Sequence, residues 1–137
     1  MVSRRPSDAE LIRMATEARE KAYSPYSNVR IGAAVLTSDG KIFTGCNIEN
    51  SSFGLSNCAE RTAVFKAVSE GHRKIDAIAI VGESEDFTKP CGACRQVLIQ
   101  FGSQMRVIRR GVDGFSSDHT INDLLPEAFN PTSLTKK

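Results

Sequence analysis

Apolar and polar positions along the chain switch between the two periods that separate helices from strands. Ser7-Asp8-Ala9-Glu10 has the form of a capping box, in which a serine and a glutamate three residues on satisfy each other's backbone N–H groups. Leu11, Ala15, Ala18 and Ala22 then recur at helical spacing, predicting an amphipathic helix that ends before Pro25. Val29 to Thr37 is apolar and partly β-branched, Lys41 to Asn47 alternates, and Ser38-Asp39-Gly40 between them carries an Asp-Gly turn signal. Together they predict a hairpin. Asn57 to Glu70 predicts a second helix, stopped by Gly71. Ile75 to Val81 is apolar but for Asp76, a run of the kind covered on both faces. Pro90 precedes a short helix through about Phe101, a strand follows from Met105 to Arg110, and Thr120 is placed to cap a last helix, Ile121 to Leu125.

Helix, hairpin, helix and strand twice, then a final helix is the order of an α/β fold with α/β/α layers around one mixed sheet. The 137 residues suit a single domain, and no repeat or long linker divides residues 1–137. Composition, at 40% hydrophobic and 25% charged, is that of a globular protein. No apolar run approaches the roughly 20 residues of a membrane span. Met1 to Pro6 carries two arginines without an apolar core, unlike a secretory signal, and reads as a flexible lead-in with the cytosol as the default compartment. A net charge of +2 favours small-molecule partners over nucleic acid, with Arg109-Arg110 read as a solvated strand end. His72 and His119 are expected to be exposed, the latter in a polar loop.

The cysteines change the picture. Cys91 and Cys94 form a C-x-x-C pair, which without a secretory signal reads as metal or redox chemistry rather than a disulfide framework. Cys58-Ala59-Glu60 and Pro90-Cys91-Gly92-Ala93-Cys94 each lie at the start of a predicted helix, so three thiolates could converge on one ion. Three protein ligands and one open tetrahedral position is the pattern of a catalytic zinc, whereas structural zinc usually has four. Cys46, inside the hairpin, reads as a small buried hydrophobe and not a fourth ligand. Glu60, two residues beyond Cys58, could take a proton from an attacking water and pass it to a substrate. Zinc with three thiolates carries a formal charge of about −1, which helix N-termini and Arg61, Arg95 or both could offset. A structural zinc, buried free thiols and a redox pair remain as alternatives, the last leaving Cys58-Ala59-Glu60 unexplained.

Cys58-x-Glu60 with Pro90-Cys91-x-x-Cys94 resembles the three-cysteine form of the zinc deaminase signature. The chain is similar to the small homotetrameric cytidine deaminases along nearly its whole length. The matching stretches are Tyr23-Ser24-Pro25-Tyr26-Ser27, Gly45-Cys46-Asn47-Ile48-Glu49-Asn50, Asn57-Cys58-Ala59-Glu60-Arg61-Thr62-Ala63, Pro90-Cys91-Gly92-Ala93-Cys94-Arg95-Gln96 and Leu124-Leu125-Pro126-Glu127-Ala128-Phe129. The resemblance implies a central mixed five-stranded sheet and one zinc per subunit held by Cys58, Cys91 and Cys94. It implies hydrolytic deamination of free cytidine and deoxycytidine to uridine and deoxyuridine plus ammonia, in cytoplasmic pyrimidine salvage, with no nucleic-acid or membrane partner. Glu60 would be the proton shuttle and Arg61 would hold the ligand thiolates. Asn47 and Glu49 would bond the ribose hydroxyls, and the backbone around Ala59 and Cys91 would contact the base. Phe129 would reach the substrate of a neighbouring subunit, so that sites are completed within a homotetramer.

Two positions depart from that pattern. Val29 stands where many relatives have an aromatic residue near the base, and Phe53 where many have tyrosine. Neither touches the metal or the acid/base group. Competing functions are deamination of another cytosine-bearing compound, such as a nucleoside antibiotic, a nucleic-acid editing protein, and a purely structural zinc module.

Overall fold

A computed structural model of the chain describes residues 5–83, 90–111 and 114–129. Its elements run α1 (Asp8–Arg19), β1 (Gly32–Thr37), β2 (Ile42–Cys46), a 3₁₀ turn (Phe53–Leu55), α2 (Ala59–Ser69), β3 (Ile75–Val81), α3 (Gly92–Gln100), β4 (Arg106–Gly111), β5 (Gly114–Thr120) and α4 (Ile121–Leu124). The sheet is mixed and five-stranded in the order β2-β1-β3-β4-β5, with β3 and β4 as its parallel pair.

Strand periodicity builds the two cores. Ala33, Val35, Ile78, Ile80 and Val107 point to one face, where they meet Ala59, Ala63, Val64, Ala67, Leu98 and Ile121 of the later helices. Ala34, Leu36, Ala77, Ala79, Val81 and Ile108 point to the other face and pack on Leu11, Ile12 and Ala15 of α1. Three of these six sheet residues are alanines, and at Gly32 an added Cβ would sit 1.9 Å from the Ala15 carbonyl oxygen, so α1 approaches the sheet closely. Among the described residues, register shifts interrupt the ladders in two places, one of them between Val107 and Arg109 where β4 meets β5. The other, after Leu36, which pairs with Ala77, brings Thr37 opposite Ile75 and leaves Asp76 exposed. Local signals set the element ends: Ser7–Glu10 and Thr120–Asp123 form complete capping boxes, and Gly40 takes a φ of +91° in the hairpin turn.

Several expectations need correction. Ala22 lies beyond the end of α1, and Ile12 joins its buried stripe instead. β1 begins at Gly32, not Val29, because the Asn47 side chain takes the Ile31 N–H and the Val29 carbonyl that a ladder would have used. The polar loop holding His119 is in fact β5, an edge strand paired with β4 through its backbone. That pairing makes Arg109 an interior position, 7% exposed and bonded to His119 at 3.1 Å, not a solvated strand end. His72 is half-buried, against Phe43 and 3.2 Å from Asp39. Cys46 is half-buried rather than buried. Residues 1–4 of the expected lead-in lie outside the described residues, but Arg5 is tied down, to Ser38 at 3.1 Å and Asp76 at 2.7 Å.

Candidate metal centre and its cleft

Two helix starts face each other. Cys58 is the N-cap residue of α2 and Cys91 that of α3, and both have extended backbone before the first helical turn. Cys91 Sγ caps its own helix by accepting from the Cys94 N–H at 3.4 Å. The Cys58 and Cys91 sulfurs are 3.9 Å apart and those of Cys91 and Cys94 3.3 Å, with all three within 4.8 Å of one another. Tetrahedral zinc with Zn–S bonds of about 2.3 Å needs sulfurs about 3.8 Å apart, so the donor set fits the ion in both chemistry and spacing. Cys46 stands outside this cluster.

Packing holds the first turn of α2 in place. A Cβ at Gly45 on β2 would sit 2.5 Å from the Ala63 nitrogen and 2.7 Å from the Ala59 carbonyl oxygen. Only glycine lets the strand and helix come so close. Thr62 Oγ1 donates to the Cys58 carbonyl at 3.1 Å and accepts from Asn57 Nδ2 at 3.0 Å, bracing the ligand's backbone.

The electrostatics follow from crowding. Shared hydrogen bonding with Cys94, helped by Arg61, lowers the Cys58 thiol to about 5, against the cost of burial. The same sharing, together with burial and the nearby Glu60, pushes the Cys94 thiol up. A dication among the sulfurs favours the thiolate at each of them. Arg61 Nη2 donates to Cys58 Sγ at 3.3 Å. Arg95, the other candidate donor, does not: its Nε bonds the Pro90 carbonyl at 2.9 Å and its Nη1 the Leu124 carbonyl at 2.8 Å, tying α3 to its neighbours. Glu60 is only 4% exposed, and burial, then the Cys58 charge, raises its carboxyl to about 7.

Cys58, Ala59, Glu60, Arg61 and Cys91 line a cleft of about 460 Å³ together with Asn47, Glu49 and Val29. Asn47 Nδ2 donates to the Val29 carbonyl at 2.8 Å and its Oδ1 accepts from Ile31 at 2.8 Å. Glu49 accepts from the Tyr26 N–H at 3.0 Å, from the Ser27 N–H at 3.1 Å and from the Ser27 hydroxyl, which hold its carboxyl below the usual range. Phe53, 76% exposed, also lines the cleft and meets Tyr26 edge-on, with ring centroids 6.3 Å apart. Phe129 is not part of the lining. It is 59% exposed, with its carbonyl held by Gln96 at 2.6 Å. Ser27, Asn57 and Thr62 were not singled out from the sequence, although each lies inside a quoted motif. Their roles depend on partners that only folding brings near. A larger groove of about 750 Å³, lined by Arg5, Lys74, Asp76 and Arg106 among others, lies where β3 and β4 begin and offers no comparable chemistry.

A family model described as the cytidine and deoxycytidylate deaminase zinc-binding region matches residues 5–109. The cytidine deaminase of Sporosarcina psychrophila is 48% identical over 127 residues, covering 92% of this chain and 93% of that one. The cytidine deaminase of Halalkalibacterium halodurans is 49% identical over 125 residues, covering 90% and 95%. Among solved structures, cytidine deaminase from Burkholderia pseudomallei superposes with a TM-score of 0.85 at 49% identity, covering 90% of this chain and all 100% of that one. Cytidine deaminase from Mycobacterium tuberculosis gives 0.76 at 41%, covering 87% and 94%.

Proposed function

The chain belongs to the cytidine and deoxycytidylate deaminase family and carries out zinc-dependent cytidine deamination; we propose that residues 1–137 act as one domain converting free cytidine and deoxycytidine to uridine and deoxyuridine. One observation carries this reading. Two of the three zinc-fitting cysteines, Cys58 and Cys91, and a buried carboxyl raised to about 7 share one cleft with an amide and a second carboxylate suited to a sugar.

Bound zinc supplies Lewis acidity that makes water a nucleophile near neutral pH. Cys58, Cys91 and Cys94 hold the ion, and Arg61 offsets part of the thiolate charge through Cys58 Sγ. Glu60 takes a proton from the attacking water on a carboxylate oxygen and delivers it to the ring nitrogen. A further transfer through Glu60 lets the amino group depart as ammonia. Burial raises its carboxyl to about 7 in the metal-free chain, and beside bound zinc it is drawn down toward the ionised form that accepts the first proton. Asn47 and Glu49 hydrogen-bond the sugar hydroxyls, and the backbone at Ala59 and Cys91 contacts the base.

Val29 and Phe53 line the cleft, and Tyr26 meets Phe53 edge-on. Tyr26, Val29, Phe53 and Leu55 are between 48% and 76% exposed, as is Phe129 elsewhere on the surface. Exposed apolar groups in such number mark an interaction surface. They support assembly into a homotetramer in which Phe129 serves a neighbouring subunit's site. Among the described residues no helix is long and apolar enough to cross a membrane, which fits our proposal of cytoplasmic pyrimidine salvage.

The test is direct. Zinc-loaded protein mixed with free cytidine should convert it to uridine at roughly 1–10³ per second, followed by ultraviolet absorbance. A zinc-replete protein inert toward both cytidine and deoxycytidine would overturn the substrate assignment.

A further inference from the structure

We propose that Ser27 is a positioning residue: it aims the Glu49 carboxylate at the sugar and so sets the affinity for a hydroxylated sugar without acting in the deamination step. The inference rests on the reading of Glu49 as a sugar ligand and goes one residue beyond it.

The geometry is specific. The chain around Ser27 is a tight turn, with the Asn28 N–H bonded to the Ser24 carbonyl at 3.0 Å and Asn28 at a φ of +61°. The turn presents two successive amides, Tyr26 and Ser27, to a single oxygen, Glu49 Oε1, at 3.0 and 3.1 Å. Successive N–H groups of this kind form an anion-binding concavity. The other oxygen, Oε2, accepts the Ser27 hydroxyl. That hydroxyl in turn accepts from the Val29 N–H at 3.1 Å, so its proton is committed to Glu49.

The consequence lies in the acceptor count. A carboxylate offers about four lone-pair positions, and the turn occupies three of them: two on Oε1 and one on Oε2. What remains is on Oε2, on a side chain that lines the cleft beside Asn47. Glu49 follows the end of β2, outside the regular strand, so nothing in the ladder fixes its rotamer. Ser27 supplies that constraint by pinning the oxygen that keeps an open acceptor position.

The experiment measures kcat and KM of the zinc-loaded enzyme on cytidine and on 2′,3′-dideoxycytidine, which lacks both ring hydroxyls. Wild type should prefer cytidine in KM. Ser27→Ala should raise KM for cytidine by about tenfold, the effect of one lost hydrogen bond to a charged group. It should leave KM for the dideoxynucleoside unchanged and kcat within about twofold. Combined with Glu49→Ala, it should reduce the preference no further than Glu49→Ala does alone. Equal rises in KM for the two nucleosides would show that Ser27 only shapes the cleft through Val29, overturning the proposal. An unchanged KM for cytidine, or additive losses in the double variant, would overturn it as well. If wild type itself makes no distinction between the two nucleosides, the sugar role of Glu49 falls first, and Ser27 with it.

Discussion

Arg61 donates from Nη2 to Cys58 Sγ at 3.3 Å, from a position three residues further along the same helix. One turn of α2 therefore carries a metal ligand, the group that moderates its charge and, between them, the buried Glu60. Helical spacing puts Arg61 over the residue three before it, and the Arg95 guanidinium, one position after Cys94, goes instead to the Pro90 and Leu124 carbonyls. Removing the Arg61 guanidinium as Arg61→Ala should weaken zinc affinity by about 10–100-fold, the usual effect of losing an outer partner of a metal ligand. Competition against a chelator of known affinity measures it, and an unchanged affinity would show the contact to be idle.

Glu60→Gln separates binding from chemistry. The amide keeps the shape and burial of the carboxyl but cannot shuttle a proton, so turnover should fall by at least about 10²–10⁴-fold. Zinc content should stay at one per chain, read by atomic absorption. Normal kcat in this variant would rule out the proton-shuttle role and revive a purely structural zinc.

Cys91→Ala removes a ligand and the α3 cap together, since its Sγ also accepts the Cys94 N–H at 3.4 Å. The variant should lose both zinc and activity, with lower thermal stability. Full zinc occupancy after dialysis would refute the ligand set.

Gly45→Ala tests the close approach of β2 and α2. The added Cβ would meet backbone at 2.5 and 2.7 Å, which a rigid helix start cannot relieve cheaply. A loss of about 1–3 kcal/mol in denaturant unfolding is expected, as for other overpacked sites, along with weaker zinc binding because Cys58 moves with that helix start. A variant as stable as wild type would mean that the strand and helix are not locked together.

The Glu60 carboxyl also gives a pH signature in chelator-treated protein. Its folded value of about 7 lies above the ordinary 4.5, so the folded chain keeps a proton that the unfolded chain releases. That contribution is fully present below about pH 4.5 and is lost as pH rises toward 7. Relative to wild type, Glu60→Gln should gain stability across this window, by up to about 3 kcal/mol. Cys58, lowered to about 5, contributes in the opposite direction, and because its charge is one cause of the Glu60 shift the difference between the two proteins includes that coupling. A stability difference that does not change with pH would sink the burial argument.

Some of this was legible in the chain alone, because its causes are local. A serine three residues before a glutamate makes a capping box wherever it lies, and Asp-Gly turns a hairpin at Gly40 regardless of what surrounds it. The run Ile75–Val81, apolar but for Asp76, read as a covered strand, and the spacing of Cys58, Glu60, Cys91 and Cys94 pointed to metal chemistry before any fold was known. Other features depended on partners distant in sequence. β5 is polar and gains its order from the backbone of β4, so no periodicity marked it, and without it Arg109 read as solvated. The choice of Arg61 over Arg95 was made by where each guanidinium finds its acceptors. Asn47 delays the start of β1, and Ser27 holds Glu49 from 22 residues away, because hydrogen-bond donors and acceptors pair by position in space. Spacing therefore pointed to a metal site, the resemblance of the motifs to its reaction, and local signals to most of the layers. Tertiary packing alone decided which polar groups face the cleft and which are consumed in holding its walls.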